Sequence, residues 1–140
     1  MSFLPLAHMF ERCCVAAMFM AGARIGFFGG DIRKLSDDMK VLKPTLIPCV
    51  PRLFNRIQDK VYTMVKGNRL KEWLLKKALA AKQREVDAGI FRNNGFWDKL
   101  VFKNVRENMG GNLRLVVVGS APLAPNVLNF MQCALGCLVS

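Results

Sequence analysis

The sequence lacks the glycine-rich motifs with which many nucleotide-binding proteins cradle phosphate. Neither GxxxxGK followed by Ser or Thr, nor GxGxxG, occurs in its 140 residues. Their absence argues against a P-loop NTPase and against a Rossmann dinucleotide-binding domain, because both need closely spaced glycines beside the phosphates. Any nucleotide contact in this chain therefore has to involve another kind of turn.

Histidine is nearly absent, and the cysteines do not have metal-binding spacing. There is one histidine, His8, and no CxxC pair, so a Cys/His metal site is poorly supported. The five cysteines are Cys13, Cys14, Cys49, Cys133 and Cys137. An odd number inside apolar segments indicates reduced, buried thiols of an intracellular protein. Without a second histidine to activate a thiol, we expect core packing rather than nucleophilic catalysis.

Long hydrophobic runs are also absent. The longest, Cys13 to Ala21, has about half of the roughly 20 residues that a membrane-spanning helix needs, and no signal peptide is evident. We therefore expect no membrane anchor in this sequence. Yet the hydrophobic content is 52% and the mean hydropathy is +0.21, which is high for a small domain. Either the core is large for this length, or other structure normally covers apolar surface.

Acidic residues are scarce, and the net charge is +11. Between Arg52 and Glu107 the sequence has 14 Lys and Arg against 6 Asp and Glu, so the basic surplus is concentrated in the middle. Such a region could face nucleic acid, anionic lipid or a polyanionic small molecule, and a solvated helical face is the simplest reading. Nucleic acid is the least favoured partner, because the aromatic residues have the spacing of a helical core.

Strand and helix patterns alternate along the chain. The predicted strands are Ser2 to Leu6, Arg24 to Phe28, Thr45 to Val50 and Leu115 to Val118. A helix follows each, and a block of helices from Pro51 to Arg106 forms a lobe. The first helix, from about His8 to Ala21, is apolar nearly all round and is expected to be buried. The fold class is therefore α/β, with a parallel sheet, flanking helices and a helical lobe.

One turn has the features of a ligand site. The strand Leu115 to Val118 ends in Gly119, Ser120, Ala121 and Pro122, and Pro125 then begins a helix. Small residues allow a ligand to approach the backbone, and ligands of open α/β sheets bind at the carboxyl ends of strands. A plain strand-to-helix connection fits the spacing equally well.

Four segments carry a resemblance to a known family. They are Phe3 to Arg12 (FLPLAHMFER), Gly22 to Phe28 (GARIGFF), Pro51 to Arg56 (PRLFNR) and Val118 to Leu123 (VGSAPL). In this order they resemble consecutive segments of the eukaryotic long-chain acyl-CoA synthetases, which are adenylate-forming enzymes. The resemblance covers essentially the whole chain. It implies that residues 1–140 are part of the large N-terminal AMP-binding domain, truncated at both ends.

The resemblance also implies a chemistry. These ligases join a long-chain fatty acid to ATP with Mg²⁺, giving an acyl-adenylate and pyrophosphate, and then pass the acyl group to coenzyme A. In the family the turn matching Gly119, Ser120, Ala121 and Pro122 lies against the adenine of ATP. The histidine matching His8 lies near the acyl and phosphate end of the pocket. The helix after His8 and the Pro51 segment resemble walls of the acyl tunnel.

Parts of the family's machinery have no counterpart here. A tryptophan that gates the tunnel in bacterial relatives is replaced by Arg12. The phosphate loop, the glutamate of a Tyr-Gly-x-Thr-Glu motif that helps to hold Mg²⁺, and the catalytic lysine would lie outside this sequence. We therefore expect no catalytic residue, no metal ligand and no ligase activity from this chain alone.

Two further expectations follow from the resemblance. The parent enzyme would act at the cytosolic face of the endoplasmic reticulum, the outer mitochondrial membrane or the peroxisomal membrane, with peripheral membrane contact. The alternative to a ligase segment is a non-catalytic truncated product that binds lipid or a membrane surface.

Overall fold

Three parallel strands form the sheet of this protein. The structure is a computed structural model that describes residues 1–5, 7–119 and 121–140. The strands are β1 (Leu46–Cys49), β2 (Leu115–Val118) and β3 (Leu138–Val139), and their order in the sheet is β1-β2-β3. Both pairs are parallel. The α/β prediction with a parallel sheet is confirmed.

Helices occupy most of the remaining described residues. They are α1 (Met9–Met20), α2 (Leu35–Leu42), α3 (Pro51–Val65), α4 (Arg69–Asp87), α5 (Phe96–Leu100), α6 (Lys103–Asn108) and α7 (Pro125–Leu135), with a 3-10 turn at Ile32–Lys34. Helices α3 to α6 lie between β1 and β2 and form the predicted lobe. Helix α7 packs against α3, α4 and α6, which makes one helical layer.

Several helix boundaries follow from local chemistry that the sequence makes visible. The Asn68 side-chain oxygen accepts from the backbone N–H groups of Leu70 and Lys71, which satisfies free donors at the start of α4. Pro51 and Pro125 begin α3 and α7, where the missing N–H of proline costs no hydrogen bond. The helix starts predicted at Pro51 and Pro125 are confirmed.

The core lies between one face of the sheet and the helical layer. Ile47 and Val116 are paired in register and are completely buried. They pack with Phe54 of α3 and with Phe130 and Met131 of α7. Successive side chains of a strand alternate between faces, so Leu46 and Pro48 point to the opposite face. There they line a cavity beneath α1.

A buried charge cluster fastens α4 to the segment that follows it. The Lys82 ammonium donates to Asp98 Oδ2 at 3.1 Å, to Glu85 Oε2 at 3.0 Å and to the carbonyl oxygen of Arg92 at 2.7 Å. The Gly95 N–H donates to the same Asp98 oxygen at 3.0 Å. Because Lys82 and Asp98 are both buried, each is held by the charge of the other.

This cluster helps to explain why only part of the predicted inner face of α4 is buried. The spacing of apolar residues in the sequence predicts burial of Leu70, Trp73, Leu74, Ala78 and Ala81. In the structure the buried residues of α4 are Leu75, Ala78 and Lys82, whereas Leu70 is 66% and Trp73 54% exposed. A periodicity argument counts a lysine as a surface residue, but Lys82 meets its acidic partners inside.

The strand predictions near the N-terminus are also wrong. The segments Ser2 to Leu6 and Arg24 to Phe28 form no strand in the described residues, only a single parallel bridge between Ser2 and Phe27. Pro5 has no N–H to extend that ladder, and glycines bound the second segment. At the other end of the chain, β3 was not predicted, because two residues carry no detectable strand pattern.

Helix α1 is present as predicted, but it is not buried. Glu11 is its only fully buried residue, while Met9, Phe19 and Met20 are 66–90% exposed. Its apolar pattern would suit a helix covered on all sides, but the described residues of this chain cover it on one side only. No helix of the described residues, α1 included, is long and apolar enough to cross a bilayer.

We predict that the end of α7 tolerates no side chain at Gly136. Gly136 has a φ of +62°, and an added Cβ would overlap the carbonyl oxygen of Arg92. Gly89 has a similar φ of +72° but open space around it, so it is a matched control. Gly89→Ala should cost about 1 kcal/mol of unfolding free energy, from backbone strain alone. Gly136→Ala should cost about 1–3 kcal/mol more, because it also overpacks. Urea unfolding followed by circular dichroism measures both, and equal losses would contradict the close approach.

Candidate functional site

The predicted adenine turn lies at the carboxyl edge of the central strand. The Gly119 N–H donates to the carbonyl oxygen of Cys49 at 3.2 Å, which extends the pairing with β1 by one residue. Ala121 and Pro122 are exposed, and Ser120 lies outside the described residues. Helix α7 begins shortly afterwards, at Pro125. Ala121 and Pro122 are thus open to solvent at the edge where α/β sheets bind ligands.

The turn contacts the segment that carries the only histidine. An added Cβ on Gly119 would overlap the ring of Phe10, so this backbone and ring are in close contact. The Phe10 ring also stands edge-on to the His8 imidazole, with ring centroids 6.4 Å apart. His8 is exposed and immediately precedes α1. The structure therefore brings Gly119 and His8 to one edge of the molecule, with Phe10 between them.

A cavity of about 490 Å³ lies beneath α1, on the sheet face opposite the core. Its apolar lining consists mainly of Val15, Met18, Ile25, Leu42 and Leu46. This volume falls in the range of small-molecule pockets, about 300–1,000 Å³. Neither His8 nor the turn lines it. Helix α1 connects the two features, since it begins beside His8 and its middle turns form the cavity wall.

Glu11 places a carboxylate in the wall of this cavity. It is completely buried and accepts a hydrogen bond from the Ser2 hydroxyl through Oε1. Its other oxygen, Oε2, has no hydrogen-bond partner among the described residues. A buried acceptor without a partner is costly, and Oε2 is such an acceptor in a residue that lines the cavity.

Sequence reasoning missed both Phe10 and Glu11. Phe10 lies inside a segment quoted for the resemblance, but only the fold places its ring against Gly119. The signal for Glu11 was available, because it is an acidic residue in an otherwise apolar helix. Only the fold shows that Glu11 lies on the side of α1 that lines the cavity.

Most of the cysteines are buried in the core, and their thiols are weaker acids than a free cysteine. Burial raises the pKa of Cys49 to about 12 and the pKa of Cys133 and Cys137 to about 11. Burial, followed by the negative charge of Glu11, also raises the pKa of Cys14. Cys13 departs from the prediction of buried thiols, because it is exposed on α1. None of the thiols with a raised pKa is suited to nucleophilic attack near neutral pH.

The described residues contain no cluster of metal-ligating side chains. Among residues 1–5, 7–119 and 121–140, no group of three or more His, Cys, Asp or Glu side chains is placed to hold a metal ion. Magnesium is bound mainly through carboxylate oxygens, and Ala121 and Pro122 offer none at the turn. No metal-dependent step is assigned to this chain.

The fold matches a solved structure of an adenylate-forming enzyme. The A-PCP didomain of carboxylic acid reductase from Segniliparus rugosus, solved in complex with AMP, superposes on 99% of this chain with a TM-score of 0.61. The sequence identity is 17%, and the match covers 17% of that protein. This chain therefore shares its fold with part of that protein.

Sequence comparison gives the family. The profile described as AMP-binding enzyme matches residues 1–140, and the chain belongs to this family. Long-chain-fatty-acid–CoA ligase 6 of Mus musculus is 53% identical over 138 residues, and ligase 1 of Homo sapiens is 52% identical over 136. Long chain acyl-CoA synthetase 7, peroxisomal, of Arabidopsis thaliana is 40% identical over 139 residues.

The matches cover nearly all of this chain but a small part of each relative. They span 97–99% of the chain and 19–20% of the relatives. The chain thus spans about a fifth of the length of the curated relatives it matches. The resemblance to long-chain acyl-CoA synthetases is confirmed.

We predict that Gly119 and Phe10 are energetically coupled. Gly119 is not among the glycines with positive φ, so the penalty of an alanine there is steric. Gly119→Ala should lower the unfolding free energy by about 1–3 kcal/mol by displacing the Phe10 ring. In a Phe10→Ala background the same change should cost at least about 1 kcal/mol less.

A double-mutant cycle in urea measures this coupling. Gly29→Ala is the control, because its Cβ would meet only the Asp38 carboxylate, at an ordinary 3.5 Å. Strictly additive effects of Gly119→Ala and Phe10→Ala would mean that the ring and the turn do not touch.

We predict that thiol reactivity divides the cysteines by burial. At pH 8 an aromatic disulfide reagent should modify Cys13 rapidly, because it is exposed. Cys49, Cys133 and Cys137 should react only after unfolding, since raised pKa values leave few thiolates at that pH. Cys13→Ser should remove the fast phase. Native-state modification of Cys49 at the rate of Cys13 would refute the buried placement.

Proposed function

We propose that this chain is a segment of a long-chain fatty acid–CoA ligase and supplies part of its adenine and acyl pockets. In this proposal Gly119, Ser120, Ala121 and Pro122 face the adenine of ATP, and His8 stands at the acyl and phosphate end. The substrates of the parent enzyme are a long-chain fatty acid, ATP and coenzyme A, with Mg²⁺ as its metal. The proposed unit is residues 1–140 of an AMP-binding domain that extends beyond them at both ends.

The contact between Gly119 and Phe10 carries this proposal. It supports a common site because it joins the adenine turn to the start of α1, two residues beyond His8. An acyl-adenylate forms only when the fatty acid carboxylate and the α-phosphate of ATP are held together. The close approach of the Gly119 backbone to the start of α1 suits that requirement.

The cavity beneath α1 is the proposed acyl pocket, and α1 forms one of its walls. Apolar side chains dominate its lining, and burial of each methylene there is worth about 0.8 kcal/mol. A long acyl chain therefore gains most of its affinity from such a slot. His8 and the turn then position the reacting end, while α1 leads from that end into the cavity. No proton transfer or bond-making step is assigned to the residues of this chain.

A chimera tests the proposal directly. The aligned segment of Mus musculus long-chain-fatty-acid–CoA ligase 6 is replaced by this chain, and acyl-CoA formation is measured with fatty acids of graded length. The chimera should be active, and the isolated chain should be inactive.

A variant of the chimera tests the acyl pocket. Met18→Trp fills part of the cavity, so it should lower kcat/KM for long fatty acids about tenfold relative to short ones. That loss is equivalent to losing room for about two methylenes.

Met20→Trp is the matched control, because Met20 lies on the same helix but is 90% exposed. It should leave the chain-length profile unchanged. An identical profile for the Met18 and Met20 variants would exclude the cavity as the acyl pocket. Acyl-CoA formation by the isolated chain above the blank would refute its inactivity, and an inactive but folded chimera would contradict the ligase assignment.

A further inference from the structure

The outward side of α4 combines positive charge with exposed apolar side chains. We define the outer face of α4 as six exposed residues at helical spacing: Arg69, Leu70, Trp73, Lys76, Lys77 and Arg84. The inward side of the same helix carries the buried residues and packs on α3 and α7. The outer face is therefore on the surface of the fold, and no described element covers it.

The apolar residues of this face are large and well exposed. Leu70 is 66% and Trp73 54% exposed, although the apolar pattern of the helix predicts both to be buried. The Lys77 ammonium lies 5.8 Å from the centroid of the Trp73 ring. Tryptophan has an apolar body and a polar N–H, and it is enriched at the boundary between lipid and water.

The positive charges of the face are not neutralised by the surrounding fold. None of Arg69, Lys76, Lys77 and Arg84 forms an ion pair with a described residue. The nearby carboxylates have other partners within the helix or its start: Glu72 accepts from the Gly67 N–H, and Asp87 accepts from the Gln83 amide. Four cations thus project from one side of α4 and favour an anionic partner.

We propose that the outer face of α4 docks on an anionic lipid bilayer. The charge and the apolar residues act together, because cations attract anionic headgroups while Leu70 and Trp73 enter the interfacial region. Lysine and arginine side chains can extend along such a surface and keep their charged ends at the headgroups. This inference is independent of the proposed ligase function, since it uses no residue of the turn, of His8 or of the cavity.

Vesicle flotation on a density gradient tests the proposal, because lipid-bound protein rises and aggregates sink. The chain should float with vesicles that contain phosphatidylserine and not with phosphatidylcholine alone. Binding should weaken strongly at high salt, since the screening length falls from about 10 Å at 0.1 M to about 3 Å at 1 M. A chain that does not float with anionic vesicles at low salt overturns the proposal.

Two charge variants separate this face from net charge. Arg69→Gln, Lys76→Gln, Lys77→Gln and Arg84→Gln together should lower partitioning at least about a hundredfold, since each cation near an anionic surface is worth about fivefold. The control removes four exposed cations elsewhere that also form no ion pair with a described residue, with Lys34→Gln, Lys60→Gln, Lys99→Gln and Arg114→Gln. Equal losses in the two variants would mean that net charge, not the outer face of α4, drives binding.

Fluorescence tests whether Trp73 enters the lipid. The chain has two tryptophans, so the Trp97→Phe variant reports Trp73 alone. Its emission should shift to shorter wavelength with anionic vesicles, and an unshifted emission would contradict insertion.

A single-stranded oligonucleotide tests the alternative that the outer face of α4 binds nucleic acid. If it binds at the same salt more tightly than the vesicles, and the outer-face variant abolishes that binding, the lipid assignment is wrong.

Discussion

The parallel pairing of β1 with β2 is the interaction on which the rest of the structure depends. It joins two segments that are far apart in the sequence, with the whole helical lobe between them. Closing so long a loop is entropically costly, and the cost is offset only when the sheet face and the helical layer bury their apolar side chains together. Ile47 and Val116, paired and fully buried, are where strand pairing and core packing meet.

The same pairing creates the candidate site. Because β1 and β2 are parallel, their carboxyl ends reach the same edge, and the Gly119 N–H continues the ladder to Cys49. Gly119 is held there by that hydrogen bond, and Ala121 and Pro122 face solvent. Helix α1 then approaches from outside the core, and only a glycine at position 119 admits the Phe10 ring. The contact between the Phe10 ring and the Gly119 backbone, which are distant in sequence, thus positions the segment that carries His8.

The two faces of the sheet differ in a way that separates stability from function. The face of Ile47 and Val116 is covered by helices and makes the core. The face of Leu46 and Pro48 is covered by α1 across a cavity, and α1 itself is largely exposed. Part of the apolar surplus is therefore exposed on α1, at Met9, Phe19 and Met20, and part lies on other elements, as at Leu70 and Trp73 of α4. The family relationship is consistent with this picture, since the relatives are about five times as long as this chain.

Local chemistry made much of the fold predictable. Proline at the first turn of α3 and α7, asparagine before α4 and the apolar runs of β1 and β2 act over a few residues, so their effect is visible without the fold. The family resemblance is of the same kind, because short segments retain their residues in order. The two segments wrongly predicted as strands near the N-terminus also have local apolar patterns. A strand, however, needs a neighbouring strand to pair with, and these segments form only one bridge.

What the sequence by itself determined are the helices, the two longer strands, the family and the position of the turn. The tertiary structure alone decided which side of α4 is buried and how far α1 is covered. Trp73 and Leu70 are exposed because Lys82 turns α4 toward Asp98, and α1 is exposed because it has a partner on one side only. It also decided that Phe10 joins Gly119 to the segment of His8. The physical reason is that burial and contact are properties of pairs of surfaces, and residues distant in sequence become such pairs only when the chain folds.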